Sequence, residues 1–505
     1  MFASNPWETK KMDSEQIALF GIIAIAPLLL GLGIVFSLKL FLLVLFAVIF
    51  IILLLMGRAA LEISFLTMIF ILPFQFFIPT NIIASGDSSL TNQLFWFSGY
   101  LRLFLFISPA LLLMGSIIRK KTQLRNKTNF IILVLVLFFV MEFMSNILVG
   151  GERLFAFFES YDGVQLFDQL CPFLAFITTY YVCLDIKMLK RAIPAFMLTA
   201  PIVIGLGYLE KISNTIIFTP KPGLVDLGGI QAASTFWDPN QLGRYLVIII
   251  MLALPFIMYE NKTNIWNILL SVAALILLIF TRSTADMVSL FIALVIFASF
   301  RKNFLSPVEE THKAKKYSSF QSEKSAAFGA GAVLLVITIY LSFKEYFVLT
   351  VNKLLSFQTS ERFNLDLAGL AMFMSSPLYG IGFAHFRKFF GKFNPLISEY
   401  GLGQEMISHN SLIKVAAEMG VLGLIPLLYI YYYFIKITLI SGRAIISDHL
   451  RKLQLSLGAI WIAMVINSWG YWRFFEDPRI WFVAGLALAI NNIGREGNSV
   501  QLHQR

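Results

Sequence analysis

Three side chains in this 505-residue chain combine a reactive type with a telling setting: His409, Arg282 and Arg362. Ser408 precedes an apolar-periodic run at Leu412, Ile413, Val415 and Ala416, so it is expected to cap a helix with His409 in the first turn. There the positive end of the helix dipole disfavours imidazolium, and a neutral imidazole can take a proton from a hydroxyl as general base. The competing reading is a surface histidine packed on its loop. Arg282, in Thr281-Arg282-Ser283, and Arg362, in Ser360-Glu361-Arg362-Phe363, stand where charge is costly. A guanidinium fork matches phosphate oxygens two at a time, so a pair of arginines facing a membrane-embedded pyrophosphate is sensible. Snorkelling or an ion pair is the alternative for each, with Asp286 one turn from Arg282.

Of the five histidines, only His385 and His409 fall in the longest loop. Arg387, Lys388 and Lys392 form a basic cluster that fits lipid head groups or a glycan lipid, or simply a solvated face. The sequence holds no P-loop, no His-Glu-x-x-His and no Asp-x-Asp, so a metal-free reaction on a lipid-borne donor fits better than a sugar-nucleotide one. Gly380-x-Gly382 reads as a tight turn. Cys171 and Cys183 lie in one predicted helix, too far apart to bond each other, and imply neither disulfide nor zinc site.

The elements that must position these residues are membrane helices. With 58% hydrophobic and 14% charged residues, too little polar surface would remain for a water-soluble core of this size. Apolar stretches of about 17 to 20 residues match the helix length that crosses about 30 Å of hydrocarbon. The expectation is an all-α polytopic membrane protein with about 14 transmembrane helices, at Ile17–Phe36, Leu40–Met56, Leu61–Ile78, Leu101–Ile118, Phe130–Leu148, Val164–Leu184, Ala192–Leu209, Leu242–Met258, Ile265–Phe280, Met287–Phe300, Ala326–Phe343, Val421–Ile435, Leu455–Trp469 and Ile480–Ile493. The first apolar run reads as a span, not a removable signal. Placing both termini in the cytoplasm puts about 24 of the 40 basic residues inside, in line with the positive-inside rule, which also accounts for the net charge of +11 without nucleic acid.

That orientation leaves a long extracytoplasmic loop, 344–420, rich in Phe, Leu, Ile and Met. Apolar spacing at Phe363, Leu367, Leu370 and Phe373, and again at Phe383, Phe386 and Phe390, predicts amphipathic helices on the membrane surface or capping the bundle. Glu309–Lys324 reads as a solvated linker. The chain divides into an N-terminal bundle (1–234), a core with the external loop (235–435), and a C-terminal helix pair with tail (436–505).

An ordered set of short motifs carries a resemblance. Asp238-Pro239-Asn240 leads into a span, and Thr281-Arg282-Ser283 follows two spans later. Arg362 and Pro377-Leu378-Tyr379-Gly380-Ile381-Gly382 come next, then His409-Asn410-Ser411, then Glu418-Met419-Gly420-Val421-Leu422-Gly423. From about Thr235 to Leu428 the chain resembles the O-antigen ligase and O-antigen polymerase family of bacterial membrane glycosyltransferases. The resemblance implies an inner-membrane enzyme that moves a glycan from undecaprenyl diphosphate to a sugar hydroxyl, with inversion and without metal or other cofactor. Arg282 and Arg362 match the arginines thought to hold the diphosphate, and His409 the histidine thought to activate the acceptor. Arg244, Asp238 and His385 have weaker claims, as do Arg387 and Lys388. Implied partners are the lipid-linked donor, a glycan or lipid-glycan acceptor, membrane lipids, and flippase and chain-length regulator proteins.

Two enzymes fit: a polymerase of lipid-linked oligosaccharide repeats, and a ligase delivering finished glycan to lipid A core or protein. Ligases of the family usually have about twelve spans, so a count of fourteen tilts toward polymerase. A lipid-oligosaccharide flippase would predict two similar halves and midplane charges, although Glu142 and Asp168 do lie in or near spans.

Overall fold

The structure is a computed structural model and describes residues 58–74, 104–115, 129–150, 161–215, 225–226, 229–236, 238–259, 264–301, 361–393, 408–445, 447–470 and 474–502, with single residues at 49, 217 and 304. The predicted spans Ile17–Phe36, Leu40–Met56 and Ala326–Phe343 and the linker Glu309–Lys324 lie outside the described residues. Every other predicted span coincides with helix: α1 (Arg58–Ile71), α2 (Phe104–Gly115), α3 (Asn129–Gly150), α4 (Tyr161–Cys183), α5 (Ile186–Met197), α6 (Ala200–Ser213), α7 (Pro239–Tyr259), α8 (Ile265–Thr281), α9 (Thr284–Arg301), α12 (Ser411–Ile435), α13 (Asp448–Asn467) and α14 (Pro478–Leu502). Two further helices, α10 (Glu361–Ser375) and α11 (Phe386–Phe393), form a headpiece between α9 and α12. Strands Val225–Asp226 and Gly229–Ile230 pair antiparallel, a small departure from the all-α expectation.

Among the described residues, four helical segments are long and apolar enough to cross a bilayer by themselves: Ile186–Ser213, Pro239–Met258, Thr284–Arg301 and Ser411–Ala444. Shorter apolar helices surround them. The first is α5 and α6 run together. Asp185 caps α5 by accepting from the Lys187 amide at 2.9 Å, and a proline near the start of α6 suits a position whose amide has no partner to lose.

Burial inverts the pattern of a soluble protein. On α3, Phe130, Leu133, Leu137 and Val140 are exposed, as are Ile265, Leu269, Val272 and Ile276 on α8 and Leu422, Ile425 and Leu428 on α12. Their spacing of three and four residues makes continuous apolar stripes of the kind that lipid covers. The centre belongs to α7, α13 and α14. Tyr245 through Leu254 of α7 are buried on all sides, as are Leu455 through Ile460 of α13 and Ile480 through Ala484 of α14. α14 packs on α4, α13 on α9, and α7 on α8. Neither α13 nor α14 reaches the apolarity of an independent span. Each carries polar residues turned onto protein: Gln454 donates to the Ile437 and Ala487 carbonyls, and Asn492 to the Tyr180 hydroxyl at 2.7 Å.

One amphipathic stripe of the headpiece differs from expectation. Leu367 and Leu370 of α10 are exposed, while Leu365, Ala368 and Met372 are buried against Ile381, Phe386, Phe390 and Ala417. The small pair Ala368 and Gly369 decides this, because it lets α10 approach α12 closely: a Cβ on Gly369 would lie 2.4 Å from Ile413. The second stripe, Phe383, Phe386 and Phe390, is buried as its spacing predicts.

Candidate active site

One end of the bundle gathers the start of α7, the α8–α9 junction, the end of α13, and the starts of α14 and α12. The loop entering α7 is pinned by the buried Glu210, whose carboxylate accepts from the amides of Ile217, Ala233 and Ser234. Asp238 then opens the helix. Its Oδ1 accepts from the Asn240 amide at 2.8 Å and the Asn240 side chain at 2.7 Å, and Pro239 fills the first helical position.

A turn further on, Arg244 is fully buried and donates from Nε to Asn467 Oδ1 at 2.5 Å, with Asp477 3.6 Å away. Asn467 donates in turn to Asp286 Oδ1 at 2.7 Å, and the Ser283 hydroxyl sits between Asp286 Oδ2 at 2.5 Å and Asn240 Oδ1 at 2.7 Å. Arg479 closes the set with two side-chain bonds to Asp477, one to the Gln241 carbonyl at 2.8 Å, and its guanidinium 4.4 Å from the centre of the Phe236 ring. Burial alone would raise the Asp477 carboxyl, but the charges and hydrogen bonds of Arg479, with Arg244, outweigh it and hold the group below the usual carboxylate range.

This network fixes Arg282. The residue caps α8 in the left-handed region, at φ 55° and ψ 22°, with its amide donating to the Ile279 carbonyl at 3.1 Å. A non-glycine residue there costs roughly 1–2 kcal/mol, and its neighbours Thr281 and Ser283 hold it by hydrogen bonds on either side. The sequence offered Asp286 as an ion-pair partner for Arg282. In the fold Asp286 is bonded to Ser283 and Asn467, and Arg244 is the cation closest to it in effect. The Arg282 side chain is half-buried and lies within electrostatic reach of Lys211.

His409 is brought to the same end by a route that corrects one expectation. The cap of α12 is Asn410, not Ser408: Asn410 Oδ1 accepts from the amides of Leu412 and Ile413 at 3.0 and 3.3 Å. Asparagine is at least as strong a cap as serine, and the Ser408 hydroxyl is occupied with the Asn410 backbone and with Asp366 at 3.4 Å. His409 therefore precedes the helix, half-buried, instead of lying in its first turn. The Ser411 amide donates to the Ser468 carbonyl at 2.9 Å, which seats the His409 turn beside Asn467 and so beside the Arg282 network. Arg362 stands one turn before Asp366 on α10, the helix joined to this turn through Ser408; its side chain lies outside the described residues.

The weaker candidates divide. Asp238 and Arg244 belong to the buried network, where they hold other residues in place. His385 is buried in the headpiece, its Nδ1 3.2 Å from the Ile381 carbonyl and its ring edge-on to Phe389. Arg387 is half-buried and Lys388 exposed on α11.

The two glycine motifs of the sequence meet. Gly420, at φ 63° and ψ −156°, breaks α12, and the 377–382 loop crosses at the break. The Ile381 and Gly382 amides donate to the Ala417 and Glu418 carbonyls at 2.9 and 3.0 Å, while the Val421 and Leu422 amides donate back to Pro377 and Leu378. Gly380, at φ 70°, touches Glu418, and Gly420 touches Leu378, so each lies against the other's strand of backbone where no Cβ fits. Ser145 of α3 bonds both sides, to the Tyr379 and Glu418 carbonyls.

Sequence reasoning missed Asn467, Asp477, Arg479, Lys414 and Glu476. A usable signal was present in Glu476-Asp477-Pro478-Arg479: three charges in a short turn between two apolar stretches call for partners. Glu142, noted only as a charge near a span, lies close enough to Lys414 to act on it electrostatically.

Fold and site together define a multi-pass helical membrane protein with an arginine and a histidine turn converging at one end of the bundle. Residues 269–428, which contain Arg282, Arg362 and His409, match the family model described as O-antigen ligase. Over those residues the chain is similar to the O-antigen ligase family, whose members transfer lipid-linked glycans in polysaccharide biosynthesis. No curated protein matches the chain.

Proposed function

We propose that the chain is an extracytoplasmic polymerase of oligosaccharide repeats carried on undecaprenyl diphosphate. The observation that carries this reading is the family match over residues 269–428 together with the placement of Arg282 and His409 at one end of the bundle. An acceptor hydroxyl attacks the anomeric carbon of the donor as His409 takes the hydroxyl proton. The carbon–oxygen bond to the diphosphate breaks on the opposite face, which inverts the centre, and the departing diphosphate keeps the bonding electrons. Arg282, with Arg362 from the start of α10, neutralises that charge. No step calls for a metal. The opposite end of the bundle supports the orientation, since Arg301, Arg443, Arg451 and Lys452 lie at or near helix ends there.

Polymerase is preferred to ligase on the fourteen apolar stretches of the sequence. The test is a deletion strain of the source organism. A polymerase mutant displays single repeats at its surface; long chains accumulating on the carrier lipid would instead establish a ligase, and unchanged glycan would remove both readings.

A further inference from the structure

The C-terminal ends of α6 and α8 bring two cations together, and the transfer step above uses only one of them. Gly207 lets the two helices touch, since a Cβ there would lie 2.8 Å from Leu277. Beside it the Tyr208 ring stands edge-on to Phe280, and its hydroxyl donates to the Ala273 carbonyl at 2.9 Å. Lys211, in the last turn of α6, then reaches over the end of α8. Its Nζ lies 5.6 Å from the centre of the Phe280 ring and donates to the Ile230 carbonyl at 3.1 Å. The loop that holds Ile230 is itself tied to α8, the Ala232 amide donating to the Phe280 carbonyl at 3.2 Å. The ammonium is thereby fixed within electrostatic reach of Arg282, two residues past Phe280. The acid next to it in sequence does not neutralise it, because the buried Glu210 accepts from the amides of Ile217, Ala233 and Ser234. Among the described residues Lys211 makes no ion pair, and Arg282 is the charge that acts on it. A lysine in the last turn suits the negative end of the helix dipole, which accounts for its place along α6 but not for a second cation set beside it. Like charges so placed repel unless an anion joins them, and Lys211 keeps two of its three donors for one.

We propose that Lys211 is a second donor-binding cation, holding the lipid-side phosphate of the carrier while Arg282 holds the phosphate next to the sugar. The assignment rests on the transfer reaction proposed above, and it serves polymerase and ligase alike, since both draw on the same donor. The order of groups along this end of the bundle matches the order along a lipid-linked glycan. The His409 turn lies against Ser468, whose neighbour Asn467 bonds Asp286 beside the Arg282 turn. Lys211 stands next to Arg282, and the exposed apolar side chains of Leu209 and Ile212 flank Lys211. Acceptor hydroxyl, sugar-side phosphate, lipid-side phosphate and hydrocarbon follow one another in the same sequence. The two cation types also fit the two tasks. The phosphate that loses the glycan gains charge on oxygens that a guanidinium fork can grip in pairs, whereas the lipid-side phosphate needs only a point charge to hold it.

The experiment titrates the full chain, in lipid nanodiscs, with undecaprenyl phosphate and with undecaprenyl diphosphate. Lys211→Met is expected to weaken both ligands by about tenfold or more, the loss of one charged hydrogen bond, and Lys211→Arg to restore most of that binding. Arg282→Met is expected to weaken the diphosphate and leave the monophosphate, which lacks the sugar-side phosphate, unchanged. Wild-type affinity for both ligands in Lys211→Met overturns the proposal, because a lysine that only ties α6 to Ile230 would alter thermal stability and not affinity. Monophosphate binding that depends on Arg282 and not on Lys211 overturns it too. Should Lys211→Met fail to fold, the wild-type chain decides: acetylation of Lys211, followed peptide by peptide in a mass spectrometer, is expected to slow when undecaprenyl diphosphate is bound, and an unchanged rate overturns the proposal. A wild-type chain that binds neither ligand would instead sink the transfer reaction itself, and the part of Lys211 with it.

Discussion

Replacing Gly420 by alanine tests the crossing of α12 and the 377–382 loop directly. With φ 63° and ψ −156°, the residue occupies a region that essentially only glycine adopts, and forcing a Cβ there costs about 1–3 kcal/mol in backbone strain alone. The new methyl would also lie 2.4 Å from the Leu378 carbonyl carbon, 2.5 Å from its oxygen and 2.6 Å from the Tyr379 nitrogen. These are backbone atoms, so no rotamer change relieves the overlap. Relief requires moving the loop and breaking some of the four bonds between the segments, each worth about 1 kcal/mol. The sum is roughly 3 kcal/mol or more, above a hundredfold in the folded ratio. Thermal melts of detergent-solubilised protein, read by size-exclusion fluorescence, measure it, with Gly205→Ala as control. At Gly205 an added methyl would meet nothing within 4 Å, and the position is mid-helix, so alanine there is expected to be neutral or stabilising by about 0.5–1 kcal/mol. If Gly420→Ala melts with wild type, the crossing does not have the geometry described.

Further outcomes follow from the same contacts. His409→Ala and Arg282→Lys are each expected to abolish surface glycan at normal membrane levels, the lysine because a point charge cannot replace a bidentate fork; wild-type display by both would end the proposed mechanism. Asn410→Ala removes the acceptor for two amides and is expected to cost about 1 kcal/mol of stability in the same melts, whereas Ser408→Ala should cost less. Asp477 has a folded-state pKa below its unfolded value, so its stabilisation is present above the unfolded value of about 3.9 and is lost as pH falls through the folded one. The stability gap between wild type and Asp477→Asn should therefore be full at pH 7 and close on acidification below about pH 4; a gap independent of pH would contradict the ion-pair account.

Apolar length alone made the helices legible, because a span must satisfy its backbone internally and so announces itself as an unbroken run. Helix lies under every predicted span within the described residues, and Arg282 and the His409 turn stand at one end of the bundle. What stayed hidden was contact between distant segments. Asn467 is an unremarkable amide at the end of an apolar run until Arg244 and Asp286 are found on either side of it. The capping residue was misassigned by two positions because Ser408 and Asn410 are both good caps, and only the engagement of Ser408 with Asp366 separates them. On α10 the larger residues drew attention, yet Ala368 and Gly369 determine which face meets α12.

The central position of α13 and α14 bears on how the protein is made. A translocating segment is judged for lipid solubility as it emerges, and these two, with Gln454, Asn467, Arg479 and Asn491, have the weakest claim to enter lipid alone. They also follow α3 through α12 in the chain, so their protein partners are synthesised before them. Folding thus draws a polar pair into a sheath of earlier helices, and Arg244 and Asp286 remain without Asn467 until that step. The end of the bundle that holds Arg282 and the His409 turn is therefore complete only once α13 and α14 are in place.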